Sequence, residues 1–249
     1  MKVFVIIPAA GLGTRMAPPS TGRGKSESPR KESTSKQFKE LCGVPILVRT
    51  LRKFVGVSAV HEIVIALRKD EIPGFHAQLE KQYPEILNKP LQLVEGGEHR
   101  QNSASNALAS LAADPADLVL VHDAVRPLVT PEIINEVIAA AQKHGAAIAG
   151  WPAVDTVKQV ERTADGAIIK ATIPRAAIVM AQTPQGFRYD ILKKAFDEAA
   201  ADGFVGTDEA SIIERAGLPV AVVMGSAKNI KITTPADMEL AEFYLKSSG

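Results

Sequence analysis

The sequence predicts an α/β protein, a Rossmann-like doubly wound and mostly parallel sheet carrying an inserted β-hairpin arm. Three observations lead there. Short continuous apolar runs recur at Val3 to Ile7, Ile63 to Leu67, Leu91 to Val94, Leu118 to Val121, Ala146 to Ala149, Ala177 to Met180 and Val220 to Val223, and runs this short with apolar residues on both faces belong to strands covered on each side. Helical stripes of apolar residues fall between them, the alternation of a doubly wound fold. One stretch, Val154 to Ile173, departs from the alternation.

In chain order, Val3 to Ile7 is the first strand. Lys2 in front of it mimics a secretory leader, but Pro8 and Gly11 interrupt the run before it fills the ~7–15-residue apolar region that a leader needs. Pro18 to Lys36 is rich in Pro, Ser, Thr, Gly and charge with no apolar period, so it reads as a long loop. Cys42-Gly43-Val44-Pro45 reads as a turn, with a helix starting near Pro45. Ile133, Ile134, Val137, Ile138 and Ala141 form a helical stripe after Thr130-Pro131, with Thr130 as N-cap and Pro131 in the first turn, where no backbone N–H is missed. Val154 to Val160 and Ile168 to Ile173 flank Asp165-Gly166, the pattern of an antiparallel hairpin. Ile191, Leu192, Ala195, Phe196 and Ala199 repeat the stripe, as do Met238, Ala241 and Leu245 after Thr234-Pro235. The hairpin has little to pack on within its own domain, which favours a partner subunit. The chain thus reads as one domain over residues 1–249, with 154–173 as a dimerisation arm.

A chain of 249 residues, 46% hydrophobic and 23% charged, can bury a core that needs neither disulfides nor a structural metal. The balance of 29 Lys+Arg against 28 Asp+Glu, formally +1, gives no global field for gripping nucleic acid. Any anion site must be local. The single cysteine, Cys42, excludes an internal disulfide and a cysteine zinc site and suits a reducing, cytoplasmic setting. His61, His76, His99, His122 and His144 share no metal-ligand spacing. No apolar run approaches the ~20 residues that span a bilayer, so no membrane partner is expected.

Chemistry concentrates first in Pro8-Ala9-Ala10-Gly11-Leu12-Gly13-Thr14-Arg15-Met16, a small-residue turn with a cation at its end. Glycines let backbone N–H groups approach a phosphate, and Arg15 can add charged bidentate contacts. The same pattern also serves an ordinary tight turn. A dinucleotide fingerprint would want Gly or Ala at Met16 and an acidic residue about 20 positions on, which argues against hydride transfer. Arg23, Lys25, Arg30 and Lys31 read as solvated surface. Lys36 differs, because the turn and helix that follow would hold it back over the first strand.

Eight blocks then appear in order: the Pro8 to Met16 turn, Lys36-Gln37-Phe38, Glu95 to Arg100, Val121 to Pro127, Asp155 to Lys158, Gln182 to Phe187, Thr207 to Ala210 and Asn229 to Thr233. Together they resemble the 2-C-methyl-D-erythritol 4-phosphate cytidylyltransferase family over nearly the whole chain. The resemblance implies transfer of CMP from CTP to the phosphate of a polyol phosphate, 2-C-methyl-D-erythritol 4-phosphate, with release of pyrophosphate, in the non-mevalonate route to isoprenoid precursors. Arg15, Lys36 and Lys231 would be catalytic. Ala9, Ala10, Gly11, Gly13, Gly96, Gly97 and Ser103 would bind CTP, and Asp123, Arg126, Thr156, Arg175 and Thr183 the acceptor, with Thr156 reaching a neighbouring subunit's site in a homodimer. Magnesium would be held mainly by the triphosphate rather than by protein ligands. The attacking phosphate is already ionised at neutral pH, its second pKa being about 6, so no general base or serine–histidine pair is needed.

One departure stands out. The family usually spans Arg15 to Lys36 with a much shorter loop and has proline where Ser35 stands. Two rival readings remain: a ribitol 5-phosphate cytidylyltransferase on the same scaffold, and a non-catalytic nucleotide-binding dimer. Three converging cations, Arg15, Lys36 and Lys231, argue against the second.

Overall fold

The computed structural model describes residues 1–11 and 35–247. Its strands, in chain order, are β1 (Val3–Pro8), β2 (Glu40–Leu41), β3 (Val44–Pro45), β4 (Val60–Leu67), β5 (Leu91–Glu95), β6 (Leu118–Val121), β7 (Ala146–Pro152), β8 (Val157–Thr163), β9 (Gly166–Ile173), β10 (Val179–Arg188) and β11 (Ala221–Met224). Seven of them form one sheet in the order β11-β7-β10-β6-β1-β4-β5. Within that sheet β10 runs antiparallel to both of its neighbours, β6 and β7, and every other pair is parallel.

The helices are α1 (Ile46–Val55), α2 (Ile72–Gln82), α3 (Arg100–Ala109), α4 (Pro131–His144), α5 (Tyr189–Ala201), α6 (Glu209–Arg215) and α7 (Pro235–Lys246). Successive side chains of a strand point to opposite faces, and β1 shows the result. Val3, Val5 and Ile7 pack in one core with Leu47, Val48, Leu51 and Phe54 of α1, Leu79 of α2 and Val137 of α4. Phe4 and Ile6 pack in a second core with Ala104 of α3, Phe196 of α5 and Ile213 of α6. Each fully buried Val, Leu, Ile or Phe contributes about 1.5–3 kcal/mol relative to exposure, so both faces must be covered. A third cluster joins Leu41, Ile46, Val125, Ile232 and Ala241. It ties α7 and the segment before it to the end of β6.

Local signals explain the ends of elements. The Thr130 hydroxyl accepts from the Ile133 N–H at 3.4 Å, Pro131 follows it, and Gly145 ends α4 with φ of 84°. Thr234 caps α7 in a reciprocal pair with Asp237. Between β2 and β3, Cys42 (φ 47°) and Gly43 (φ 73°) make the two-residue turn, whose twist suits a tight hairpin.

Two expectations need correction. The strand read at Ala177 to Met180 is instead a short 3-10 turn, Arg175–Ala177, followed by β10 from Val179 to Arg188. The strand was hidden because its middle is polar yet buried: Gln182 donates to the Ser226 carbonyl at 2.8 Å and Gln185 to Asp208 Oδ2 at 2.7 Å. The hairpin is also displaced from its expected limits, because β8 runs to Thr163 and β9 starts at Gly166, leaving Ala164 and Asp165 as the turn. β8 and β9 pair only with each other, as a separate two-stranded sheet.

Candidate active site

In open α/β sheets ligands bind beyond the carboxyl ends of strands, where the chain reverses its direction of travel across the sheet. Here the chain moves from β1 outward to β4 and β5, then returns to place β6 on the other side of β1. A cleft of about 210 Å³ opens at that point, lined by Pro8 to Gly11 after β1, Gly97 to Arg100 after β5, Asp123 to Val125 after β6, and Lys36, Gln37, Ser103 and Lys231. A second cleft adjoins it through the shared residues Arg100, Asp123 and Lys231, and adds Arg126, Thr183, Gln185 and Asp208.

Close packing shapes the first cleft. A Cβ on Gly96 would lie 2.4 Å from the Ala10 Cβ and 2.9 Å from Ser103 Oγ, and one on Gly97 would lie 2.3 Å from the Asn102 Cβ. No side chain fits, so the loop before α3 lies directly against the turn after β1. Ser103 Oγ accepts from the Gly97 N–H at 3.1 Å and donates to the His99 carbonyl at 3.2 Å, holding that loop closed on itself. Across the cleft, buried Gln37 donates to the Ala9 carbonyl at 2.5 Å. This bond brings Lys36 to the rim beside the β1 turn.

The floor is a charge network. Asp123 Oδ1 accepts from Arg100 Nε at 3.2 Å, and Asp123 Oδ2 faces Arg126 Nε at 3.1 Å and Lys231 Nζ at 2.9 Å. Lys231 is delivered by its neighbour Ile232, which is buried and whose N–H bonds the Val125 carbonyl at 2.9 Å. Arg100 Nη1 also donates to both carboxylate oxygens of buried Glu209, each at 2.8 Å. Burial pushes the Asp123 carboxyl up, but Arg100, Lys231 and Arg126 outweigh it and hold the group far below the usual carboxylate range. Burial would depress the Arg100 guanidinium, and Glu209 and Asp123 reverse that. Burial pushes Glu209 up against the pull of Arg100.

Beneath Asp123 lies a neutral relay. The Asp123 N–H donates to Thr183 Oγ1 at 3.0 Å, and the Thr183 hydroxyl in turn donates to His122 Nδ1 at 3.1 Å. His122 Nε2 lies 3.1 Å from the Arg126 carbonyl and must carry the ring proton to bond it. Full burial lowers the His122 pKa to about 3, so the ring stays neutral. Arg126 Nη1 reaches the Asn229 carbonyl at 2.7 Å, which fastens the β6 loop to the segment carrying Lys231.

The family model for 2-C-methyl-D-erythritol 4-phosphate cytidylyltransferase matches residues 3–247. The protein of that name from Acidobacterium capsulatum is 56% identical over 99% of this chain and 98% of its own length, and that from Solibacter usitatus 49% identical over 99% and 96%. The chain belongs to this cytidylyltransferase family. Among solved structures, the Francisella tularensis 2-C-methyl-D-erythritol 4-phosphate cytidylyltransferase superposes with a TM-score of 0.77 at 34% identity, covering 98% of this chain and 99% of that one. The 4-diphosphocytidyl-2C-methyl-D-erythritol synthase of Anaerococcus prevotii superposes with a TM-score of 0.78 at 30% identity, covering 98% of both.

Of the residues that family resemblance singled out, Ala9, Ala10, Gly11, Lys36, Gly97, Ser103, Asp123 and Lys231 line the first cleft, and Arg126 and Thr183 the second. Gly96 stands just behind Ala10. Gly13 and Arg15 lie outside the described residues, as do Arg23, Lys25, Arg30 and Lys31. Thr156 and Arg175 line neither of these two clefts. Arg175 instead donates to the Val154 carbonyl at 2.6 Å, at the base of the hairpin. Sequence reasoning gave no role to Arg100, Glu209 or Gln37. All three lie within the family blocks, yet only the fold shows that Arg100 meets Glu209 and that Gln37 meets the Ala9 carbonyl.

Proposed function

We propose that this chain transfers the cytidylyl group of CTP to the phosphate of 2-C-methyl-D-erythritol 4-phosphate, giving 4-diphosphocytidyl-2-C-methyl-D-erythritol and pyrophosphate, in isoprenoid precursor synthesis. The observation that carries the reading is the convergence of Lys36, Arg100, Arg126 and Lys231 on one pair of joined clefts in a chain of this family. A phosphate oxygen of the acceptor attacks the α-phosphorus of CTP, the bond to the β-phosphate oxygen breaks, and pyrophosphate leaves with the electron pair. The nucleophile is already ionised, so the protein's work is positioning and charge stabilisation.

In this reading the first cleft takes CTP. Lys36 and Arg15 hold the triphosphate, the backbone from Ala9 to Gly13 approaches it, and Gly96, Gly97 and Ser103 flank the nucleoside. The second cleft takes the acceptor, with Asp123 accepting from its hydroxyls, Arg126 meeting its phosphate and Thr183 completing the wall. Lys231 lies on both clefts and bridges the attacking and α-phosphates. Among the described residues no group of three or more His, Cys, Asp and Glu side chains gathers as a metal cage, and Asp123 is engaged by three cations. A divalent cation, magnesium in this proposal, would be held mainly by the triphosphate oxygens and would neutralise charge there.

We further propose one nucleotidyltransferase domain that dimerises through the arm 154–173, which brings Thr156 and Arg175 to the partner's acceptor cleft, and a cytoplasmic setting. No helix among the described residues is long and apolar enough to cross a membrane. The test is pyrophosphate release with CTP and each of two acceptors. Methylerythritol phosphate should support turnover and ribitol 5-phosphate much less; the reverse preference would reassign the acceptor, and release with neither would sink the proposal.

A further inference from the structure

We infer that Arg100, clamped by Glu209, is a positioning residue that keeps the Asp123 carboxylate aimed at the acceptor while Lys231 is drawn to the phosphates. The inference rests on the cytidylyl-transfer reading above and concerns two residues to which that reading assigns no such task.

The division of labour on Asp123 is the starting point. Its Oδ2 is shared between Arg126 at 3.1 Å and Lys231 at 2.9 Å, whereas Oδ1 is held by Arg100 at 3.2 Å. A single ammonium that bonds Oδ2 at this distance is committed to Asp123. Once two phosphates enter, Lys231 is attracted to several anionic oxygens at once and leaves the carboxylate. A buried carboxylate that loses a cation turns toward the remaining one or takes a proton, and either change would cost the acceptor its hydroxyl partner. Arg100 prevents both. It approaches from α3, on the other carboxylate oxygen, and its bond does not depend on where Lys231 goes.

Arg100 must in turn resist the same phosphates, since it lines both clefts. Glu209 supplies that resistance. It is buried in the first turn of α6 and grips Arg100 Nη1 with both oxygens at 2.8 Å. The base of α6 is itself fixed: Asp208 caps the helix by accepting from the Ser211 N–H at 3.0 Å, and Gln185 of β10 bonds both Asp208 Oδ2 and the Ala210 N–H. A planar guanidinium meets the two carboxylates with separate nitrogens held in a fixed fork, Nε toward Asp123 and Nη1 toward Glu209, a spread that a lysine's single nitrogen does not match.

The groups facing Asp123 are Arg100 from α3, Arg126 and neutral His122 from its own loop, Lys231 from the segment before α7, and Glu209 from α6 behind Arg100. Weakening the Arg100 contact therefore lets the Asp123 pKa rise. From so depressed a value that rise leaves Asp123 ionised at neutral pH, so the loss is one of aim and should fall on acceptor KM more than on kcat.

The experiment compares wild type, Glu209→Gln and Arg100→Lys. It measures kcat and KM for the acceptor separately at neutral pH, together with CTP binding by calorimetry. Each variant should lose about tenfold in acceptor kcat/KM at neutral pH, equal to 1.4 kcal/mol, carry that loss mainly in acceptor KM, and keep CTP affinity within about threefold. Arg100→Lys keeps the charge and carries the same readouts if Glu209→Gln does not fold. Equal losses for CTP and acceptor, or a fall in kcat with acceptor KM unmoved, would overturn the positioning role. Wild type without turnover would remove the functional reading and this inference together, whereas normal wild type with normal variants removes the inference alone.

Discussion

The cleft floor and the hairpin arm are built on opposite principles. At the floor, Asp123, Glu209, His122 and Thr183 are all buried, and each finds its partners within the same chain. Along the arm, Val160, Ile168 and Ile169 are 43%, 59% and 59% exposed, and the two strands pair only with each other. Buried polar groups need every partner in place before they stop costing stability, so the floor is complete in one chain. A two-stranded hairpin alone is marginal in water, so the arm calls for cover from outside. The contrast locates where a second copy is expected to matter.

Removing the arm is the strongest way to break that contrast. A chain in which residues 154–173 are replaced by a short turn should fold, because β7 and β10 carry the sheet without the hairpin, but it should be monomeric and without measurable turnover. Light scattering and pyrophosphate release check both points. An intact dimer after the deletion would reject the arm as the interface, and a fully active monomer would reject its contribution to the neighbouring site.

Lys231→Ala probes the floor with the next largest effect. Turnover should fall by roughly 10²–10³, about 3–4 kcal/mol, because the charge is needed most when attacking and α-phosphates crowd the reacting centre. CTP affinity should change only a few-fold. The variant also frees Asp123 Oδ2 from its 2.9 Å partner, yet Arg100 and Arg126 remain, so the protein should keep its fold. Steady-state rates beside calorimetric CTP binding separate the two effects; near-normal turnover would take Lys231 out of the mechanism.

The same contrast decides what could be read in the sequence. β1 and β6 were legible because their apolar runs are buried on both faces, and α4 and α7 because Thr-Pro pairs announce their starts. Asp123, Arg126 and Lys231 were legible only as members of family blocks. Glu209 belongs to such a block too, but its role was not legible, because a carboxylate in a short helix looks like solvated surface until its partner is known, and Arg100 lies 109 residues away in sequence. β10 escaped for a related reason: its buried middle is polar, and the partners of Gln182, Thr183 and Gln185 come from distant segments. Periodicity reports apolar burial, and it is silent where burial is made safe by long-range hydrogen bonds.

The smallest expected effect sharpens the comparison by pH. His122 titrates near 3 in the folded chain against an ordinary 6.5. Above about pH 6.5 neither folded nor unfolded chain is protonated there, and the group leaves stability unchanged. As pH falls from 6.5 toward 3 the unfolded chain binds a proton that the folded chain refuses, so stability declines by up to about 1.4 kcal/mol per pH unit. At pH 5 the loss should be about 2 kcal/mol. Glu209 works in the opposite sense, because a carboxyl raised in the folded state favours folding as pH falls, and it offsets part of the loss. Asp123 enters only lower, since its stabilisation is lost as pH drops below the ordinary carboxylate range. Urea unfolding at about pH 7 and pH 5 should therefore show a clear decline for wild type and a shallower one for His122→Gln, whose amide can occupy part of the relay without charging. The arm carries no histidine, so over this window the floor should weaken while dimer dissociation stays nearly constant. An equal slope in the variant would move the acid sensitivity from His122 to the surrounding carboxylates.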